Sequence, residues 1–261
     1  MGWPGPSVDH AKALKWISKA AEQGNAKGEA ALASLYLAGF AAPPTRVAAV
    51  TWMRKAAEQG LERAQCSLAV MYDQGIGVAP DHVEAVRWYR GLVVSTDRNG
   101  LMQDWARTKL ATMYETGDGI ARDDDEAVSW FRSAADHGYP FAQTKLGIRY
   151  AKGDALRRDY AAAAKLLDSA AKKGMPAAQI ALGSLYADGH GVYQNLAVAY
   201  KWFDLAARFS TSPTERDEAR RDRETISARM SHQEVALAER LVERWLPADE
   251  LGDRMHAGGD M

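Results

Sequence analysis

The chain has 261 residues, with 33 basic and 34 acidic side chains and a formal net charge of -1 at pH 7. This balance gives no overall positive field that would favour a nucleic acid or an anionic membrane surface. A hydrophobic fraction of 47% is typical of a folded chain, but no run of about 18 apolar residues occurs, so no membrane insertion is predicted. Cys66 is the single cysteine, which excludes an intrachain disulfide and a cysteine-based zinc site.

At the N-terminus we expect residues 1–8 to be a leader or a remnant added to the chain. The opening "MGWPGPSVDH" has no basic segment followed by an apolar stretch, which a secretory signal requires. The chain as given therefore predicts a cytoplasmic location, or a periplasmic one if a signal segment was trimmed from it.

One short stretch occurs almost twice: residues 16–24 read "WISKAAEQG" and residues 52–60 read "WMRKAAEQG". Its tryptophan recurs at steps of 36, 36, 42, 36 and 36 residues, with Leu166 in its place once. A tyrosine series shows the same interruption, with steps of 36, 42, 36 and 36 residues. The structural repeat positions are Trp16, Trp52, Trp88, Trp130 and Trp202 in the first series and Tyr36, Tyr72, Tyr114, Tyr150 and Tyr186 in the second. A fixed period of this length predicts a solenoid of stacked repeats.

The tryptophan belongs to a helix that we call helix B, because apolar residues lie three before it and one and four after it. Seven residues before the tryptophan stands a side chain that can accept a hydrogen bond from the first turn. These predicted N-cap residues are Asp9, Thr45, Asp81, Asp123, Asp159 and Asn195. Helix B is predicted to close with an alanine pair and then a glycine suited to a left-handed cap. The glycines are Gly24, Gly60, Gly138 and Gly174.

The tyrosine belongs to a second helix, which we call helix A. A leucine lies four residues before the tyrosine, and the next residue is always alanine or glycine, which lets the neighbouring helix approach closely. A glycine three residues after the tyrosine is predicted to end the helix. The predicted fold class is therefore all-α: an α-solenoid of antiparallel helix pairs with a 36-residue period, in which one lone helix B precedes five pairs.

Together, A-x-x-x-L-A/G-x-x-Y-x-x-G-x-G-V and D-x-x-x-A-x-x-W-x-x-x-A-A-x-x-G resemble the Sel-one-like repeat, a relative of the tetratricopeptide repeat. The fullest copy is residues 64–96, and the solenoid is predicted to span residues 9–209. The resemblance implies a right-handed superhelix that holds partner proteins or peptides on a curved surface, commonly in bacterial signalling, envelope regulation or host contact. It implies no shared catalytic residue. Two departures are Leu166 in place of a tryptophan and "GFAAPPT" in place of a two-glycine turn.

The repeat is interrupted after Trp88 by six additional residues, which we assign to an insert at residues 91–104. Leu92 and Val93 occupy the places of the alanine pair, so we expect the close helix contact to loosen or shift there. Two interpretations of the insert stay open: a tolerated surface loop, and part of a binding face.

Helix A carries a stripe of residues that its core does not need, at nine, six and two positions before the tyrosine and one after it. Such residues face the concave side of a solenoid, where partners bind. The hypothesised partner-binding residues are Arg63, Val70, Trp105, Phe141, Ile148 and Ile180. The alternative interpretation is that these side chains pack against the neighbouring repeat.

Motifs that resemble catalytic or metal sites have structural explanations. "GDGI" and "DGHGV" follow helices instead of strands and recur with the repeat, so we interpret them as turns. In "RDDDE", residues 122–126, Asp123 is the predicted N-cap, and Cys66 has no accompanying motif that would activate a thiol. We predict no catalytic residue, no metal site and no cofactor.

After residue 209 the repeat stops. "SPTE" and "SHQE" each predict a helix start, with Ser212 and Ser231 as N-caps and Glu215 and Glu234 as their capping-box partners. A solenoid exposes the apolar face of its last repeat, so we expect residues 210–246 to form capping helices. Residues 247–261 are expected to be a flexible tail.

These patterns and the resemblance predict an interaction protein and not an enzyme: a bacterial regulatory or envelope-associated scaffold that binds a protein or peptide partner, with no nucleic acid. One alternative is a structural array that self-associates into a homo-oligomer through its open N-terminal helix B. The other is a hydrolase acting on cell-wall or lactam substrates, a property proposed for cysteine-rich relatives. The missing cysteines and the absent catalytic set argue against the hydrolase.

Overall fold

The computed structural model describes residues 10–40, 46–94 and 100–245, and these residues form helices joined by turns, with no strand. The prediction of an all-α fold is confirmed. The first helices are α1 (His10–Glu22), α2 (Ala26–Leu37), α3 (Arg46–Glu58), α4 (Glu62–Gln74), α5 (His82–Val94), α6 (Leu101–Thr116) and α7 (Asp124–Asp136). The next are α8 (Pro140–Lys152), α9 (Tyr160–Lys172), α10 (Pro176–Asp188), α11 (Leu196–Phe209), α12 (Pro213–Ser227) and α13 (His232–Glu243).

The helices alternate as the two sequence patterns require. α1 is a helix B, and α2 with α3, α4 with α5, α6 with α7, α8 with α9 and α10 with α11 are helix A and helix B pairs. The chain divides into two compact units, residues 1–130 and residues 131–261. The expected leader at residues 1–8 and the expected tail at residues 247–261 lie outside the described residues.

Helix B begins at the predicted N-cap residues. Four of these side chains accept a hydrogen bond from the backbone N–H three residues later: Asp81, Asp123, Asp159 and Asn195. The backbone N–H of each also donates to the carbonyl of the tyrosine in the preceding helix A, at 2.9 to 3.0 Å. In these four turns the N-cap residue is therefore bonded both to the helix before it and to the helix after it. The predicted caps Asp9 and Thr45 lie outside the described residues.

Glycines end both kinds of helix, as predicted. Their φ angles lie between 69° and 83°, in the left-handed region that strains any residue with a Cβ atom. They are Gly24, Gly60, Gly138 and Gly174 after helix B, and Gly39, Gly75, Gly117, Gly153 and Gly189 after helix A.

A large side chain directly after the tryptophan fills the interior of most helix B layers. Five residues at this position are at most 3% exposed, and Ile17 of α1 is half-buried; the five are Met53, Tyr89, Phe131, Leu167 and Phe203. The tryptophans themselves differ, since Trp202 is buried, Trp52, Trp88 and Trp130 are half-buried, and Trp16 is 67% exposed. Most of the indoles therefore cover the edge of a layer whose interior is filled by the next residue.

Helices A and B approach each other closely at the small residue of helix A. A Cβ atom added to Gly183 would lie 2.8 Å from the ring of Phe203. A Cβ atom added to Gly147 would lie 2.7 Å from Cγ of Leu167. Because real Cβ contacts are longer than this, the close approach predicted from the sequence is confirmed at these two sites.

The tyrosines of helix A also bind the helix B before them. Tyr72 and Tyr114 are buried, whereas Tyr36, Tyr150 and Tyr186 are half-buried. Guanidinium groups two residues after the tryptophan donate to three of the tyrosine hydroxyls, in the pairs Arg54–Tyr72, Arg90–Tyr114 and Arg132–Tyr150. These bonds connect successive repeats at their polar edge.

A glutamine seven residues before the tyrosine adds a contact that helical periodicity does not indicate. Its side-chain amide donates to the second alanine carbonyl of the preceding helix B at 3.2 to 3.4 Å, in the pairs Gln65–Ala57, Gln143–Ala135 and Gln179–Ala171. These carbonyls belong to the last turn of the helix, and each also accepts from the N–H of the glycine that follows it, at 2.8 to 3.0 Å, so the glutamine supplies a second donor. The glutamine therefore caps one helix from the next.

The insert changes this contact in its own repeat. α5 continues to Val94 and α6 begins at Leu101, and residues 95–99 lie outside the described residues. Leu92 and Val93 are buried, as the alanine pair is elsewhere. Arg107 stands in place of the glutamine and is itself buried. Its Nη1 lies 2.6 Å from Oδ1 of Asp104, in an ion pair within α6.

Two further helices, α12 and α13, follow the last repeat. Ser231 and Glu234 form the predicted reciprocal capping box. At Ser212 the prediction is only half right: the hydroxyl accepts from the N–H of Glu215, but the Glu215 carboxylate accepts from the Ser210 hydroxyl at 2.6 Å. The reason is that the Ser212 N–H already donates to Ser210 Oγ, so it has no need of the carboxylate.

A buried carboxylate attaches α12 to α11. Asp204 is 1% exposed, and its Oδ1 lies 2.6 Å from Nη1 of Arg223 on α12. Its Oδ2 lies 2.5 Å from Nε of Arg208, in an ion pair too poorly aligned to be a hydrogen bond. Among the described residues, no helix has the length and apolarity that crossing a membrane requires.

Candidate functional site

The helix A stripe lines a pocket in the first unit. This first-unit pocket has a volume of about 370 Å³. α2 supplies three stripe residues to it, Lys27, Ala30 and Ser34, and α4 supplies Arg63. Leu61 adds to its apolar floor, while Lys27 and Arg63 are exposed. The rim of this pocket is therefore basic.

The same stripe lines a pocket of about 430 Å³ in the second unit, between α8, α10 and α12. We call it the second-unit pocket. Its floor is mostly aliphatic and includes stripe residues of two helices: Ile148 and Ala151 of α8, and Ala177, Ile180 and Ser184 of α10. A volume in the range of about 300 to 1,000 Å³ with an apolar floor is typical of ligand-binding pockets.

The rim of the second-unit pocket is polar. Tyr160 and His190 stack on one side of it, with their ring centroids 4.4 Å apart and their planes 8° from parallel. The charged side chains around it are Lys152, Asp188, Glu215 and Glu218. Three of these four are carboxylates, and two of the three come from α12.

The structure brings together two of the six hypothesised partner-binding residues. Ile148, which is half-buried, and Ile180, which is 7% exposed, lie on the floor of the second-unit pocket. Arg63 lies on the rim of the first-unit pocket. Val70 is half-buried and Phe141 is 39% exposed, and neither lines these two pockets.

Trp105 is half-buried and packs within the first unit. Its ring meets Tyr89 edge to face, with centroids 5.5 Å apart. Lys109 Nζ lies 5.6 Å from the centroid of the Trp105 ring and 3.2 Å from a carboxylate oxygen of Asp73. These contacts agree with the alternative interpretation, in which the stripe residues pack against neighbouring residues. Part of the indole nevertheless remains accessible to solvent.

The titratable groups near Trp105 are poorly suited to nucleophilic chemistry. Burial raises the pKa of the Cys66 thiol, which lowers the fraction of reactive thiolate. Burial, together with the negative charge of Asp73, raises the pKa of the Tyr89 hydroxyl. Within the described ranges no three His, Cys, Asp or Glu side chains are grouped so that they could hold a metal ion.

The contribution of α12 to the second-unit pocket is not expected for a helix that serves only as a cap. A signal for it is nevertheless present in the sequence. Adding one repeat of 36 residues to Gln179 and Leu182 leads to Glu215 and Glu218, the two α12 residues that line the pocket. Continuing the repeat frame beyond residue 209 would have aligned α12 with α10 and shown a carboxylate at the glutamine position and another at the core leucine position.

Known proteins resemble this chain in sequence and in fold. The Sel1 repeat profile matches residues 1–25, 26–61, 62–90, 106–139, 140–175 and 176–208, and it passes over the insert. The Sel1 repeat protein from Oxalobacter formigenes has 31% identity over 82% of this chain and 60% of its own, with a TM-score of 0.65. The protective antigen c5321 of uropathogenic Escherichia coli, which displays an SLR fold, has 24% identity over 97% of this chain and 60% of its own, with a TM-score of 0.59.

The chain thus spans about 60% of the length of each of these two proteins. A comparison with curated proteins gives no match. Sel1 repeat proteins generally mediate protein–protein interactions and are typically non-catalytic scaffolds. Because the repeat profile matches well over half of the residues, in the frame that the helices follow, the chain belongs to the Sel1 repeat family.

Proposed function

We propose that this protein is a non-catalytic scaffold or adaptor of a bacterial cell that binds a partner protein or peptide along the helix A stripe. The observation that supports it is that the same stripe lines a pocket in each unit. Repeat proteins bind with the side chains that stacking leaves accessible, and on the stripe these include the exposed Lys27 and Arg63 and the half-buried Ile148. An apolar floor favours insertion of a side chain, and a polar rim favours one partner over another.

The test is affinity capture from the source cell, with wild type compared to a variant in which the second-unit pocket is filled. Ala177→Trp is suited to this purpose because the equivalent stripe position holds Trp105 and Phe141 in other repeats, so the fold accepts an aromatic side chain there. Lys165→Trp, at an exposed position of α9, is the matched control. We expect partners to be recovered with wild type and the control and lost with Ala177→Trp.

The first-unit pocket is tested in the same experiment with Lys27→Glu combined with Arg63→Glu. Both side chains are exposed, so the double variant is expected to fold. Equal recovery of every partner by wild type, the filled pocket and the charge-reversed pocket would contradict the proposal.

Self-association is a second candidate function, which one observation favours. Trp16 is 67% exposed on α1, whereas Trp202 at the equivalent position is buried. Exposed tryptophans are common at interfaces. If α1 pairs with another copy, the elution volume in size-exclusion chromatography will depend on concentration and Trp16→Ala will remove the dependence. A strict monomer across a dilution series would exclude this function.

A further inference from the structure

α12 has the register of a helix A without its usual residues. One repeat after Gly183, the small residue of α10, stands Ala219, which is 0% exposed and therefore keeps the close-packing role. One repeat after the buried Leu182 stands Glu218, which is exposed. The stacking position is thus retained while a core leucine is replaced by a carboxylate beside the second-unit pocket.

Few positive charges lie close to the two carboxylates of α12, Glu215 and Glu218. Glu215 accepts a hydrogen bond from the Ser210 hydroxyl at 2.6 Å, which stabilises the charged carboxylate without neutralising it. In the described part of the chain, no cation lies within ion-pair distance of Glu218. Arg216 and Arg220 are on the same helix but are not among the residues that line the pocket.

The other charged side chains do not outweigh the negative charge that Glu215 and Glu218 give to the rim of the second-unit pocket. Asp188 Oδ2 lies 3.9 Å from Nδ1 of His190, so a protonated His190 offsets Asp188. Lys152 is the single lysine or arginine among the lining residues. The lining side chains thus include three carboxylic acids, those of Asp188, Glu215 and Glu218, against one lysine.

We propose that the second-unit pocket binds a peptide segment in which one aliphatic or aromatic side chain enters the apolar floor and a neighbouring lysine or arginine faces Glu215 and Glu218. This inference rests on the proposed function, which it makes specific to a basic and apolar peptide. Complementary charge at a rim selects partners and speeds association more than it adds affinity. The floor therefore supplies the anchor and α12 supplies the selectivity.

The experiment is a selection of random 12-residue peptides displayed on phage against the full chain, followed by fluorescence anisotropy with the enriched peptides. Peptides retained by Ala177→Trp are removed by counter-selection. We expect enrichment of an apolar residue with lysine or arginine within three positions of it. We also expect affinity to fall as salt rises from 50 to 500 mM, because exposed charges are screened. Enrichment of acidic or uncharged peptides, or no enrichment, would overturn the inference.

The matched variants isolate the two α12 carboxylates. Glu215→Gln with Glu218→Gln should weaken binding of the enriched peptides by about five- to tenfold, the size expected for two partly exposed ion pairs. Asp217→Asn with Glu224→Gln makes the same charge change on exposed positions of the same helix that do not line the pocket, and should change binding less than twofold. Equal effects of the two pairs would show that only net charge matters, and would overturn the inference.

Failure of this inference can be told apart from failure of the proposed function. If Ala177→Trp loses binding of the peptides but the Glu215→Gln/Glu218→Gln and Asp217→Asn/Glu224→Gln variants bind them equally well, the pocket binds peptides and the inferred selectivity is wrong. If the partners captured from cells remain bound to Ala177→Trp and to the charge-reversed first-unit pocket, the proposed function itself is wrong.

Discussion

At the scale of single residues, the backbone of the turn after helix A restricts most strictly which residue types can occupy a position. The second glycine of the turn, two residues after the first, has a φ of 76° at Gly77, 70° at Gly119 and 70° at Gly191. It also lies against the backbone of an earlier helix B, so that a Cβ atom on Gly191 would overlap the carbonyl of Tyr160. Ala155 holds the equivalent position with a φ of 54°, and among the described residues no other non-glycine residue has a positive φ.

Ala155→Gly is therefore expected to stabilise the protein. A left-handed conformation costs an L-residue about 1 to 2 kcal/mol, and the greater freedom of glycine in the unfolded chain offsets part of the gain. We expect a net increase of about 0.5 to 1 kcal/mol in the free energy of unfolding, measured by urea denaturation. Gly191→Ala is the reverse change at the equivalent position and should destabilise by more than about 1 kcal/mol. A destabilising Ala155→Gly would contradict the strain assigned to this residue.

At the scale of helices, polar contacts decide how neighbouring elements join. α12 is attached to α11 through Asp204, whose carboxylate is almost inaccessible while its partners Arg208 and Arg223 remain 31% and 29% exposed. In the first unit, the ring of His82 at the start of α5 hydrogen bonds Asp118 in the turn after α6. The first contact is buried and the second is open to water, so they should respond differently to substitution and to pH.

Asp204→Asn should destabilise the protein by about 3 kcal/mol. Removing one member of a buried ion pair leaves the other charges uncompensated, and the partial exposure of the two arginines places the effect at the low end of the known range. Thermal and urea unfolding measure it. Asp217→Asn, which removes an exposed carboxylate 3.7 Å from Arg220 on the same helix, should change stability by less than about 1 kcal/mol. Equal effects of the two substitutions would contradict the role given to Asp204.

The His82 contact should stabilise the protein at acidic pH. The hydrogen bond with Asp118 raises the pKa of His82, with a smaller effect from the charge of Asp73, while burial acts in the opposite direction. A group whose pKa is higher in the folded state contributes fully below its unfolded pKa, and the contribution is lost as pH rises through the folded pKa. Because both side chains are exposed, at 34% and 47%, the contribution should stay below about 1 kcal/mol.

The measurement compares melting temperatures of wild type and His82→Gln at pH 5.5 and pH 8.5. The difference between the two proteins should be larger at pH 5.5. Asp118→Asn should reproduce this result, because it removes the other member of the pair. A difference that is larger at pH 8.5 would show that His82 is not stabilised in its protonated form.

At the scale of the whole molecule, the sequence predicts the repeat frame far better than the site. The frame depends on local rules that act within a few residues, such as the side-chain cap of Asp159 and the left-handed Gly174, and these are confirmed. Helical periodicity gives the position of a tryptophan on its helix but not its exposure, which depends on neighbouring elements. Trp16 and Trp202 show this, since they share one position and differ from 67% to 2% exposed.

The site is harder to predict because it depends on contacts between repeats. The stripe is visible in the sequence, but which of its members surround a pocket is set by the sizes of the side chains on two or three helices. Ala177 and Ser184 leave the space into which Ile148 and Ile180 face, and small residues carry no sign of this in a single helix. Glu218 is hard to predict for a different reason. It lines the second-unit pocket, but it lies in a helix that has lost the repeat residues, so it is noticed only when the repeat frame is continued into that helix.

Stability should be local in a chain built in this way. Repeats contact mainly their neighbours, so a loss at one end propagates over a short distance. In Asp204→Asn, amide hydrogen exchange should become up to roughly a hundredfold faster in α11 and α12, which corresponds to about 3 kcal/mol. α2, α3 and α4 in the first unit should exchange at the wild-type rate. Asp217→Asn should leave exchange unchanged in both units, which makes it the control. A uniform acceleration from α2 to α12 would show instead that the chain unfolds as a single cooperative block.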